Sequence, residues 1–211
     1  MKTRFVNRLK SLFKSLKALA LYAVFDDEER AIVEFEGCLE LYPEDGHTLG
    51  ILGKILINRG RHLEGIRKLN EALNYMVARG KSDPELFAYI AYGYAELNRL
   101  DEAINYYKKA INSWSKDGGF FTKVDVVYNL GRVYLQQGNY IEAKNIYELG
   151  IHLNNKEARL HFGLGSAYYE LGQYEYAFHH LETAIELEPT FEDDKTMKKL
   201  RNELRSKMTI H

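Results

Sequence analysis

Two stretches decide how this chain folds. One is Tyr128-Asn129-Leu130-Gly131 leading to Gln137-Gly138-Asn139-Tyr140-Ile141-Glu142-Ala143. The other is His161-Phe162-Gly163-Leu164-Gly165 leading to Leu171-Gly172-Gln173-Tyr174-Glu175-Tyr176-Ala177, and it restates the first 34 residues later. A fixed period of that size marks a supersecondary unit stacked on copies of itself. Small residues such as Gly131 and Ala143 let two helices approach closely, where a larger side chain would overpack. Gly138 and Gly172 suit the left-handed turn that ends a first helix, and Gly60 and Asn98 occupy the same place further upstream. One helix pair leaves apolar surface that only the next pair covers, so the pattern predicts an array.

These residues resemble the tetratricopeptide repeat, a helix-turn-helix unit of 34 residues. The unit from Val124 supplies Leu130, Gly131, Tyr134, Gly138, Ala143, Tyr147 and Gly150, with Asn155 where proline is usual. The unit from Ala158 supplies Leu164, Gly165, Tyr168, Gly172, Ala177, Leu181, Ala184 and Pro189. Pro84 opens a unit with Ala91, Tyr94, Asn98, Ala103, Tyr107 and Ala110; Gly46 opens one with Leu52, Gly53, Leu56, Gly60, Gly65, Leu69 and Ala72. The first unit, from about Leu12, is the most divergent: it keeps Tyr22, Ala31, Phe35, Cys38 and Pro43 but has Ala18-Leu19 in place of Leu-Gly.

The resemblance implies an all-α fold, a right-handed superhelical solenoid of antiparallel helix pairs. Its five units are 12–45, 46–83, 84–123, 124–157 and 158–191, after a basic amphipathic extension over 1–11. Residues 192–211 form a capping helix and tail, since Met197, Leu200, Leu204 and Met208 recur at helical spacing and an array needs its last face covered. The spacing departs from 34 twice. The second unit runs 38 residues, which a longer second helix through Met76 would absorb; the third runs 40, with the excess around a loop at Ser115–Phe121.

Composition agrees with a folded protein: 45 % hydrophobic and 28 % charged residues, with three prolines in 211. The longest apolar stretch, Ala18–Phe25, is far too short to span a bilayer and stops at Asp26-Asp27-Glu28-Glu29. Lys10, Lys14 and Lys17 interrupt the place where a secretory signal would need its apolar core. A lone cysteine, Cys38, excludes an internal disulfide. The expected location is cytoplasmic, or peripheral on the cytosolic face of a membrane.

Charge is unevenly spread. Residues 1–25 carry Lys2, Arg4, Arg8, Lys10, Lys14 and Lys17 and no acid, whereas the rest has 23 basic against 30 acidic side chains. An acidic body argues against general nucleic-acid binding, which needs a basic face.

In the repeat that this chain resembles, the first helix of each pair lines a concave groove. The positions carried over offer Lys54, Tyr89, Tyr92, Tyr128, Asn129, Arg132, Arg159, Phe162 and Tyr169 as partner-binding residues, a set rich in the aromatics and arginines that make hot spots. The subtype that clamps chaperone C-terminal carboxylates is not matched. Asn129 and Arg159 fit its pattern, but Ala88, Tyr92 and Gly163 break it.

The N-terminal segment has two readings. Phe5, Leu9, Leu12, Phe13, Leu16 and Ala20 fall on one helical face. Such a stripe ordinarily packs on a core, here residues 31–39. Alternatively Arg4, Phe5, Arg8 and Lys10 contact a membrane or a partner.

No catalytic constellation, metal site or cofactor is expected. Gly80-Lys81-Ser82 lacks the upstream glycine of a phosphate loop, because position 75 is Tyr. Gly163 and Gly165 fall inside a helix, and His179-His180 diverge on one. The function expected is a non-catalytic adaptor or scaffold that binds a protein or peptide in its groove. The alternative is a self-assembling or membrane-associated assembly factor that uses the basic N-terminal helix.

Overall fold

In a computed structural model the described residues, namely 2–24, 27–78, 83–114 and 122–208, with side chains from Val6 onward, form helices joined by short turns, with no strand among them. The loop expected at Ser115–Phe121 and the Gly80-Lys81-Ser82 stretch lie outside the described residues, as do the side chains of Arg4 and Phe5. The helices are α1 Lys2–Ala23, α2 Glu28–Leu41, α3 Gly46–Asn58, α4 His62–Val77, α5 Pro84–Glu96 and α6 Leu100–Ser113. They continue as α7 Lys123–Gln136, α8 Tyr140–Leu153, α9 Ala158–Glu170 and α10 Tyr174–Leu187. A short 3-10 turn at Pro189–Asp193 leads to α11, Lys195–Met208. They fall into two compact units, Met1–Arg99 and Leu100–His211.

Local chemistry starts several helices. Asp45 accepts hydrogen bonds from the His47 and Thr48 amides at α3, and Asp83 accepts one from Glu85 N with Pro84 at the first turn of α5. Thr122 and Asp125 form a reciprocal capping box at α7, satisfying amides that the helix itself leaves unpaired. First helices end as expected, with φ of 77° at Gly60, 57° at Asn98, 78° at Gly138 and 72° at Gly172. Asn98 is the one non-glycine residue among the described residues in that region, a conformation that Asn tolerates better than most side chains. The extra length of the second repeat, 46–83, goes partly into α4, which has 16 residues where α2, α6, α8 and α10 have 14.

The small positions set the helix spacing. In the first unit a methyl placed on Gly53 would sit 2.7 Å from Leu69 Cγ, and one on Gly65 would meet the Gly53 carbonyl oxygen at 2.8 Å. In the second unit Tyr147, fully buried in α8, lies under both Gly131 of α7 and Gly163 of α9. A methyl on either would approach the Tyr147 ring within 2.5 and 2.4 Å respectively. Cys38 is buried at a small-residue core position, where its thiol contacts the Ser11 carbonyl oxygen at 3.4 Å; burial pushes its pKa up.

The second unit closes on α11. Met197 and Leu204 are fully buried against Ala177, Leu181 and Ala184 of α10, and Arg201 grips Glu182 of α10 at 2.6 and 3.1 Å.

The first helix meets the favoured expectation in part: it packs on α2, where Ala18, Leu19 and Tyr22 join Ala31, Ile32 and Phe35, but through a different face. It runs unbroken from Lys2 to Ala23, and the side turned to α2 carries Ser11, Ser15 and Ala18, all buried. The apolar stripe does not pack on residues 31–39: Leu9, Leu12, Phe13 and Leu16 are 42 %, 56 %, 70 % and 56 % exposed. Close approach explains the choice, because Ser11 Oγ donates to the Cys38 carbonyl oxygen at 3.3 Å. Side chains as large as Leu or Phe at that contact would hold the two helices apart.

Candidate functional site

In the first unit the expected contact residues come from α3 and α5. Lys54 Nζ donates to Glu85 Oε2 at 2.5 Å and lies 5.5 Å from the centre of the Tyr89 ring. Tyr89 is only 5 % exposed; burial, opposed by a hydrogen bond with Asn58 and reinforced by Glu85, pushes its pKa up to about 12. The Tyr89 ring thus supports Lys54 from beneath rather than presenting itself. Tyr92 is half-buried on the same helix. Beside them a cleft of about 370 Å³ opens between His47, Gly50, Ile51, Lys54, Glu85 and Leu86.

In the second unit α7 presents Tyr128 and Asn129, both half-buried, and Arg132, which is exposed. Two guanidiniums attend the Tyr128 ring, Arg159 at 5.1 Å and Arg132 at 5.9 Å from its centre. Arg159 is also held by Glu157 at 2.6 Å and Asp125 at 3.0 Å, which together raise its pKa. Arg132 makes no ion pair among the described residues, so its charge is available to a ligand. The arrangement is a tyrosine face with one committed and one uncommitted cation, suited to carboxylate or aromatic side chains of a peptide.

Phe162 and Tyr169 are taken up by the chain's own end. Phe162 meets Phe191 of the 3-10 turn in a tilted ring contact, centroids 5.5 Å apart. Tyr169 donates its hydroxyl to Glu203 of α11, and Lys207 Nζ sits 4.8 Å over its ring. The cap was expected from the spacing of Met197, Leu200 and Leu204; that it reaches two expected contact residues was not. The repeat positions give no hint of it, because the turn at Pro189 decides where α11 lies.

Sequence reading also missed a histidine pair. His161 of α9 and His180 of α10 place their Nδ1 atoms 3.1 Å apart, and His161 Nε2 lies 3.1 Å from the Asn155 carbonyl oxygen. A carbonyl only accepts, so neutral His161 donates from Nε2 and accepts at Nδ1, which assigns the donor proton to His180 Nδ1. Burial, with His161 and His179 nearby, pushes the His180 pKa down to about 4. Antiparallel pairing of the two helices was the available signal, and adjacency of His179 and His180 concealed it. No cluster of three or more metal-ligating side chains occurs among the described residues.

Family models described as tetratricopeptide repeat match residues 158–191, 124–157 and 90–113. This is a tetratricopeptide-repeat protein. Repeats of this family serve generally as interaction scaffolds. No curated protein matches the sequence. Among solved structures, the repeat protein is similar to YrrB, described as having an unusual peptide-binding site, at 19 % identity and a TM-score of 0.70 over 87 % of each chain. It is also similar to MamA, at 23 % identity and a TM-score of 0.69 over 78 % of this chain and 91 % of that one. A third is the first repeat domain of Spaghetti (RPAP3) bound to an HSP90 peptide, SRMEEVD, at 18 % identity and 0.53 over 60 % of this chain and 93 % of that one. At such identities the likeness is one of fold.

Proposed function

We propose that the protein is a non-catalytic scaffold that binds a segment of a partner protein on the faces of its first helices. The observation that carries this reading is the Tyr128 face, where Arg132 is exposed and makes no ion pair among the described residues while Arg159 is locked by two carboxylates. An exposed cation on an aromatic support costs little to desolvate and offers a directed contact, which is how arginine and tyrosine serve as hot spots. Asn129 on the same helix adds an amide donor and acceptor. In the first unit Tyr92 and the Lys54 cleft would take part of the same ligand class. Two of the similar solved structures are described as binding or holding peptides, which supports the ligand class without naming the ligand.

The test is quantitative affinity capture from native extract, with wild type compared against a folded Arg132→Glu variant. A protein retained by wild type and lost from the variant supports the reading. Identical captures would remove the Tyr128 face from the function.

A further inference from the structure

The outward face of α1 is uncovered among the described residues, and its composition says what fits it. Leu9, Leu12, Phe13 and Leu16 follow helical spacing, turned from the Ser11–Ser15–Ala18 contact, and remain exposed, with Leu9 and Leu12 at the rim of a cleft shared with Tyr42 and His47. A contiguous apolar stripe of this kind on a protein surface marks an interaction site. Its borders are basic: Arg8 and Lys10 are exposed and make no ion pair among the described residues, and Lys17, although bonded to Glu34, keeps its side chain 64 % exposed. Residues 1–25 hold six cations and no anion.

We propose that this face is a membrane-contact site that lays Leu9, Leu12, Phe13 and Leu16 into an anionic lipid surface, with Arg8 and Lys10 at the headgroups. A helix with an apolar stripe and a cationic rim settles in the plane of a bilayer, binding through buried apolar area and attraction to anionic lipid together. No described helix is long and apolar enough to cross a membrane, so the contact is peripheral. A symmetric dimer through the same face is disfavoured, because it would bring the Arg8 and Lys10 charges of two copies together. The site stands independently of the Tyr128 face.

The test is co-sedimentation of the full chain with phosphatidylcholine vesicles, with and without phosphatidylserine, at low and high salt. Wild type is expected to bind the anionic vesicles and to release at high salt. Phe13→Asp with Leu16→Asp should abolish binding while leaving helicity intact, since both side chains are exposed. Arg8→Glu with Lys10→Glu should weaken binding about tenfold or more. Failure of wild type to bind, equal binding to neutral vesicles, or undiminished binding by the Phe13/Leu16 variant would overturn the proposal. So would a dimer in solution that these substitutions dissociate while vesicles are ignored, which would assign the face to a second copy.

Discussion

Arg159 Nη2 of α9 lies 3.0 Å from Asp125 Oδ1 of α7, joining the same repeat position in two successive helix pairs. Asp125 does two jobs, because it also accepts from the Thr122 amide and hydroxyl at the start of α7. Burial alone would raise its pKa; the hydrogen bonds from Thr122 and Arg159 outweigh that and hold the carboxyl below its ordinary value.

Asp125→Ala is therefore expected to cost about 1 kcal/mol through the lost reciprocal half of the capping box, more than Arg159→Ala, whose partly exposed ion pair contributes less. Urea unfolding of both variants checks the order. Because the folded carboxyl is the stronger acid, the Asp125 contribution is present above the unfolded pKa. It is lost as pH falls through the folded one.

Tyr147 gives two predictions of opposite sign. Gly131→Ala should destabilise by about 1–3 kcal/mol, because the added methyl meets a ring with no room to move. Tyr147→Phe should be neutral or stabilising, since the Tyr147 hydroxyl is buried without a hydrogen-bond partner among the described residues. Melting temperatures of the two variants separate the effects, and a strongly destabilised Tyr147→Phe would contradict the packing described.

The His161–His180 pair makes stability depend on pH. His180, with its pKa lowered from 6.5 to about 4, binds a proton less readily folded than unfolded. Its contribution is complete above about pH 6.5 and declines as pH falls toward 4, by about 1–3 kcal/mol in all. Melting temperature against pH should flatten over that window in His180→Gln relative to wild type.

The cap is a stability element. Leu204 is fully buried against α10, so Leu204→Ala is expected to cost about 2–4 kcal/mol. Loss of α11 packing should also free Tyr169, visible as a rise in the solvent accessibility of tyrosine by absorbance or fluorescence quenching.

Much of this was legible from residue types and spacing. Gly60, Asn98, Gly138 and Gly172 are turn residues for steric reasons that operate within a few residues, and Gly53, Gly131 and Gly165 sit where two helices nearly touch. The period of 34, carried by pairs such as Leu130 and Leu164, sets the order of elements because each pair must be covered by the next. Those are local or nearest-neighbour constraints, and a sequence expresses them directly.

The tertiary structure decided what depends on which surfaces meet. An apolar stripe on α1 indicates an interface but not its occupant; only the packed helices show that Ser11, Ser15 and Ala18 take the contact with α2 and leave Phe13 outside. Likewise, the side chains of Lys54, Arg159 and Tyr169 look alike as candidate contacts until their neighbours are known. Glu85, Asp125 and Glu203, each more than 30 residues away in sequence, engage them in the fold. Charge and hydrogen-bond pairing over such distances is a property of helix packing, and it is what separates the available Arg132 from its committed neighbours.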